Sequence, residues 1–185
     1  MAEVALLTIS LERLILCKYK KVSFMEKFGR LFYGTEIEKY LPTKQEQNLG
    51  AIDFLQYIKR KREENCCYYW VIIHGKSKEV IGFIYTNYDT ETDCIHLQLA
   101  IREQWCKKKY IKEAIVYLKE YYMENIKVNR MDIFCAQSEN EVEMAIVESG
   151  FLLEGTLREA VFYRKEKEDL KIYGILQRQY QDSRS

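Results

Sequence analysis

Two histidines, three consecutive lysines and six cysteines are the residues of this chain with the plainest chemical capacity. His96 lies in CIHLQLAI, where Ile95, Leu97, Leu99 and Ile101 alternate with His96, Gln98 and Ala100. That period belongs to a strand with two unlike faces. An imidazole there can take a proton from an amine. The competing reading is a histidine that only satisfies hydrogen bonds. His74 precedes Gly75 and reads as a loop residue. Lys107, Lys108 and Lys109 can hold a phosphate as point charges, or can simply solvate a turn. The cysteines, Cys17, Cys66, Cys67, Cys94, Cys106 and Cys135, include no CxxC pair and no histidine at a zinc-ligand spacing, so no metal site is expected. Most of them read as small buried hydrophobes with free thiols.

A chain of 185 residues is long enough for one core and short for two, so residues 1–185 are expected to form a single domain. Its 48% hydrophobic content, with 14% aromatic residues, argues for a folded soluble protein over disorder. Lysine and arginine number 29 against 28 acidic residues, which leaves no overall field to attract nucleic acid or an anionic membrane. The opening MAEVALLTISL has no basic start and too short an apolar run for a signal peptide or a span, so a cytoplasmic setting is expected. Tyr68, Tyr69, Tyr121 and Tyr122 read as core or rim residues, and the basic run Lys59 to Arg62 as a helix end that complements its dipole.

The elements that must position these groups follow from periodicity. LERLILCKY reads as a strand, and SFMEKFGRLF and AIDFLQYIKRKREE as helices. CCYYWVIIHGKSKEVIGFIYTNY reads as a hairpin around Gly-Lys-Ser. After CIHLQLAI, a helix is expected from Tyr110 to about Glu124, carrying Ile111, Ala114, Ile115, Leu118 and Tyr122 on one side. RMDIFCA is a short strand and ENEVEMAIVES a short helix, which Gly150 closes with a left-handed cap. FLLEGTLREAVFYR and DLKIYGILQRQY complete the order as two strands joined by KEKE.

This order resembles the GCN5-related N-acetyltransferase (GNAT) superfamily. LERLILCKY is similar to its opening strand, KEVIGFIYTNY to its third strand, EQWCKKKYIKEAI to its cofactor loop and helix, and ESGFLLEGTLRE to its glycine-phenylalanine corner. The closing stretch, with GTLRE and ILQRQY, looks most like the RimJ/RimL subgroup and its spermidine-acetyltransferase relatives. The resemblance implies an α+β fold, with a mixed central β-sheet of about seven strands flanked by about four helices. It also implies transfer of an acetyl group from acetyl-CoA to a primary amine, on a small molecule or a protein N-terminus.

Site residues come with the resemblance. The family's phosphate turn, normally Q/R-x-x-G-x-G/A, corresponds here to Cys106, Lys107, Lys108, Lys109, Tyr110 and Ile111. Lys109 and Ile111 stand where small residues would let backbone N–H groups approach a diphosphate. Leu99, Ala100 and Ile101 match the backbone segment that holds the acetyl and pantetheine, and Asn140 the asparagine that contacts the cofactor. His96 replaces a common acidic residue and becomes the candidate base. Ile146 and Val147 fall where many relatives place a proton-donating tyrosine. Loss of the glycine and of the thiolate acid together supports a competing expectation, a noncatalytic protein of the same fold acting in partner binding or as a homodimer.

Overall fold

The computed structural model of the chain describes residues 7–18, 67–163 and 166–184. Eight strands form one mixed sheet: β1 (Leu7–Ser10), β2 (Leu14–Lys18), β3 (Cys67–His74), β4 (Val80–Asp89), β5 (Cys94–Ile101), β6 (Arg130–Ala136), β7 (Leu152–Tyr163) and β8 (Glu166–Leu176). Their order across the sheet is β1-β2-β3-β4-β5-β6-β8-β7. Every neighbouring pair is antiparallel except β5 and β6. That one parallel pair needs a crossover, and helix α1 (Lys108–Glu120), prolonged by a π-helical turn over Tyr121–Ile126, supplies it. Two shorter helices follow, α2 (Asn140–Glu148) and α3 (Gln177–Asp182).

Alternation along the strands decides which face is covered. Ile95, Leu97 and Ile101 of β5, with Met131, Ile133 and Cys135 of β6, join Ile111, Ala114, Ile115 and Leu118 of α1 in the main core. Val142, Ala145 and Ile146 of α2 and Tyr180 of α3 join the same cluster, so the three helices share one sheet face. Cys94, His96, Asp132 and Phe134, one residue out of phase, face the other way. Gly150 takes φ +88° after α2, the left-handed cap that its position requires. Gly82 is needed for a different reason, because a Cβ there would collide with the carbonyl oxygen of Ala100 on β5.

The α+β class holds, with eight strands in place of seven. The additional strand is β1, which pairs with β2 from Leu7↔Lys18 to Ser10↔Ile15. Its sequence, LTIS, is too short to show a period. A second correction concerns QRQY, read as the end of a strand and found in α3. There the Gln179 side chain accepts a hydrogen bond from Leu176 N at 2.8 Å and Gln177 donates to Met123 O at 3.0 Å, while Tyr180 is buried. Side-chain partners thus turn a polar stretch into a helix that its own pattern does not announce. The helices expected in SFMEKFGRLF and AIDFLQYIKRKREE lie outside the described residues.

Candidate acyl-transfer site

Pairing between β5 and β6 runs from Cys94↔Arg130 to Gln98↔Phe134 and stops, although β5 continues to Ile101. Over Leu99, Ala100 and Ile101, β5 stays bonded to β4 on one side and, among the described residues, has no strand partner on the other. Parallel strands that part in this way leave backbone N–H and C=O groups open to an extended ligand, and their parting is a passage between the two sheet faces. Ala100 and Ile101 are buried while Leu99 is half-buried. Gly82 holds β4 close at this level, so the segment is fixed on its paired side.

The N-terminus of α1 begins just beyond this segment. A short 3-10 turn, Glu103–Trp105, leads to Lys107, which caps the helix in an extended conformation without a side-chain bond. The Glu141 carboxylate of α2 instead accepts a hydrogen bond from Lys108 N at 2.8 Å. Charge at a helix N-terminus is favourable when negative, and here α2 provides it from within the chain. The three lysines diverge. Lys108 Nζ bonds Glu148 at 2.7 Å, beside Lys112 Nζ on the same carboxylate at 3.1 Å. Lys109 is exposed, its ammonium lying 4.9 Å from the Tyr110 ring, and joins Arg13, Lys76 and Lys78 around a depression of about 680 Å³. Lys107 is exposed. Ile111 is fully buried in the core and Tyr110 nearly so, which takes both side chains away from the helix end.

Tyr110 instead belongs to an aromatic group with His74 and Trp105. His74 lies 4.4 Å from the Trp105 ring and 5.6 Å from Tyr110, centroid to centroid. His74 is the last residue of β3, not a loop residue, and its Nδ1 contacts Ser77 Oγ at 2.9 Å in the turn. Asn140 is the first residue of α2, exposed, beside the Glu141 that caps α1. Ile146 is buried and Val147 exposed, and neither can give up a proton.

His96 heads a polar cluster on the opposite sheet face. Its Nδ1 is 3.3 Å from Asp132 Oδ2, directly across the β5/β6 pairing. Cys94 Sγ, two residues back on the same face, lies 3.5 Å from the same oxygen and 3.9 Å from His96 Nδ1. Arg130 approaches Asp132 Oδ1 at 2.6 Å, and its guanidinium is bonded to both oxygens of Glu154. The 2.6 Å contact is ionic, since its angles leave Oδ1 outside hydrogen-bond geometry. Gly174 makes the room, because a Cβ at that position would meet Arg130 and Glu154. Burial works to raise the Asp132 carboxyl, but its contacts with His96 and Arg130 outweigh burial and hold it below the usual range. Burial first, and then the Asp132 charge, push the Cys94 thiol up to about 12, so in this setting it is no nucleophile.

The sequence singles out His96 and the Leu99–Ile101 segment and names Cys94 only as a buried thiol, while Glu141, Asp132 and Arg130 enter from the structure. One signal for Asp132 is present: it is an acidic residue amid the apolar strand RMDIFCA. Glu141 gives none, because its partner belongs to another helix.

The spermidine N-acetyltransferase of Vibrio cholerae, solved in complex with CoA and spermine, is similar over 92% of this chain and 99% of its own, at 17% identity and a TM-score of 0.76. The ribosomal-protein-S5-alanine acetyltransferase from Vibrio fischeri is similar over 92% and 97%, at 12% identity and a TM-score of 0.75. An acetyltransferase of the GNAT family from Bacillus anthracis gives 93% and 99%, 17% identity and 0.71. At such identities the likeness is one of fold. No curated protein sequence matches the chain. No helix among the described residues is long and apolar enough to cross a membrane. The sequence model of the acetyltransferase (GNAT) domain matches residues 13–151, from the β1–β2 corner through α2 to the phenylalanine after Gly150. A match over so much of the sheet and its crossover places this chain in the GNAT acetyltransferase family.

Proposed function

We propose that this protein is an acetyl-CoA-dependent N-acetyltransferase that acts on a primary amine, either a small polyamine or amino sugar or a protein N-terminus. The observation that carries this reading is the unpaired edge of β5 over Leu99–Ile101, beside the parallel strand β6. It offers backbone groups to the pantetheine and acetyl of the co-substrate, and N–H donors to the oxyanion that forms when an amine attacks the thioester carbon. The amine nitrogen forms the new C–N bond, the C–S bond breaks, and CoA leaves as thiolate. Lys107 and Lys109 are free to meet phosphate as point charges, and Asn140 lies at the same end of the helices. His96 receives the amine proton. It lies three residues, about 10 Å along the strand, from Leu99, so the proton reaches it through a chain of more than one water.

The closing hairpin supports placement in the RimJ/RimL subgroup. We read residues 1–185 as one domain working in the cytoplasm. A second reading, a noncatalytic member of the family that binds a partner or its own copy, draws support from Glu141, which already satisfies Lys108 N at the helix end a diphosphate would use. Acetyl-CoA titration separates the two. At 100 times its dissociation constant, a ligand bound only by the native state stabilises it by about 2.7 kcal/mol, which a thermal-shift assay resolves. That shift, together with CoA thiol release in the presence of spermidine or an N-terminal peptide, is the expected result. Absence of any shift at millimolar acetyl-CoA would overturn the enzyme reading.

A further inference from the structure

Cys94, His96 and Asp132 present one sulfur, one nitrogen and one oxygen that lie within 4.8 Å of one another. The pairwise separations are 3.9 Å from sulfur to nitrogen, 3.5 Å from sulfur to oxygen and 3.3 Å from nitrogen to oxygen. A tetrahedral zinc ion with metal–ligand lengths of about 2.3, 2.05 and 2.0 Å sets the corresponding edges at about 3.6, 3.5 and 3.3 Å. Two edges coincide and the third differs by a side-chain adjustment. We propose that these three residues bind a divalent transition-metal ion of the zinc class, on the sheet face opposite the helices.

Chemistry and surroundings support the assignment. Thiolate, imidazole and a single carboxylate oxygen are borderline-soft donors that suit Zn²⁺ or Co²⁺ and not Mg²⁺ or Ca²⁺. The strands fix the donors: Cys94 and His96 are two apart on one face of β5, and Asp132 is paired with His96 across β6. Cys94 and Asp132 are buried, while the His96 side chain is one third exposed (33%), which gives an ion a way in. Arg130, itself a cation, stands beside the same carboxylate. Its contact is with Oδ1, however, which turns Oδ2 toward Cys94 and His96 and makes the arginine an orienting partner of the ligand carboxylate. Charge also balances. An ion of charge two with Arg130 faces three negative groups, Asp132, Glu154 and the Cys94 thiolate, whose proton passes to solvent as the sulfur–metal bond forms.

Metal binding has a consequence that rests on the proposed acetyl transfer. An ion on Nδ1 leaves the ring hydrogen on Nε2, so His96 can no longer accept a proton from the amine. Loading this site therefore inhibits transfer.

Cobalt titration of the full chain tests the site without reference to activity. One equivalent of Co²⁺ is expected to bring up the near-ultraviolet thiolate charge-transfer band and the visible bands of a four-coordinate ion, and Zn²⁺ to displace both. Cys94→Ser should abolish the ultraviolet band, and Asp132→Asn and His96→Gln should each weaken binding at least tenfold. Cys106→Ser should leave the spectrum as it is. Melting curves of the metal-free variants establish that they fold, and should Cys94→Ser melt early, Asp132→Asn and His96→Gln carry the same test. An undiminished ultraviolet band in Cys94→Ser, or no band at millimolar Co²⁺, overturns the site. Acetyl transfer by a chain that binds no Co²⁺ sinks the metal proposal alone. Stoichiometric Co²⁺ binding to a chain with no affinity for acetyl-CoA supports the site and sinks the acetyltransferase reading instead.

Discussion

At the scale of single residues, Glu141 decides more about this protein than the lysine run that first draws the eye. A diphosphate and the Glu141 carboxylate both seek the N-terminal amides of α1, and only one can have Lys108 N. A hydrogen bond to a charged group contributes about 1.5–3 kcal/mol, which an incoming ligand must replace. Glu141→Ala is therefore expected to lower the dissociation constant for acetyl-CoA by about tenfold, close to 1.4 kcal/mol, in calorimetric titration. Unchanged or weaker affinity would mean that phosphate approaches elsewhere, with the basic depression around Lys109, Arg13 and Lys78 as the next place to look. Sequence gave access to the charges of Lys107 to Lys109 and to His96, because composition and strand period suffice for those. It is silent on direction: Lys108 turns to Glu148, a partner forty residues away, while Lys109 lies by the Tyr110 ring.

Elements show the same division. The strands around the site were legible because alternation is a local property: CIHLQLAI becomes β5 with Ile95, Leu97 and Ile101 in the core and Leu99 packed against it, although Cys94 and Ala100 on the other face are buried too. β1 and α3 were not, since a four-residue strand and a six-residue helix owe their form to neighbours. How the elements are fastened was equally hidden. Glu113 of α1 accepts hydrogen bonds from Arg13 N at 2.8 Å and Leu14 N at 3.3 Å, and its other oxygen meets the Arg13 guanidinium at 3.3 Å. One carboxylate thereby secures the crossover helix to the β1–β2 corner. Glu113→Ala removes the acceptor of both donors, of which the exposed Arg13 N regains water and the half-buried Leu14 N does so less readily, and a loss of about 1 kcal/mol is expected in urea denaturation. Glu113→Gln keeps one acceptor oxygen and should recover part of it. Equal losses for the two variants would show that the ion pair with Arg13, and not the backbone bonds, is what holds the corner.

For the molecule as a whole, stability in base follows from what is buried between sheet and helices. Tyr122, in the π-helical turn that ends the crossover, is buried; its hydroxyl receives Trp70 Nε1–H from β3 at 3.2 Å and lies 2.9 Å from Thr86 Oγ1 of β4. Burial pushes this phenol up to about 12. Burial, aided by the charges of Glu139 and Glu143, likewise pushes the Cys135 thiol up to about 12. Both groups keep their protons in the folded chain at a pH where the unfolded chain releases them, from ordinary values of 10.0 and 9.0. Their contribution is thus whole below about pH 9 and drains away as the pH rises toward 12, because the unfolded state binds fewer protons throughout that window. Melting temperature is expected to fall steeply between those limits and to hold level from neutrality to the lower one. Tyr122→Phe separates the hydrogen bonds from the titration: it should cost about 1–3 kcal/mol at neutral pH by stranding the Trp70 donor, yet lessen the alkaline slope to the share that Cys135 carries. A slope as steep in Tyr122→Phe as in the parent would take the alkaline loss away from this phenol and leave it with Cys135 and the remaining groups.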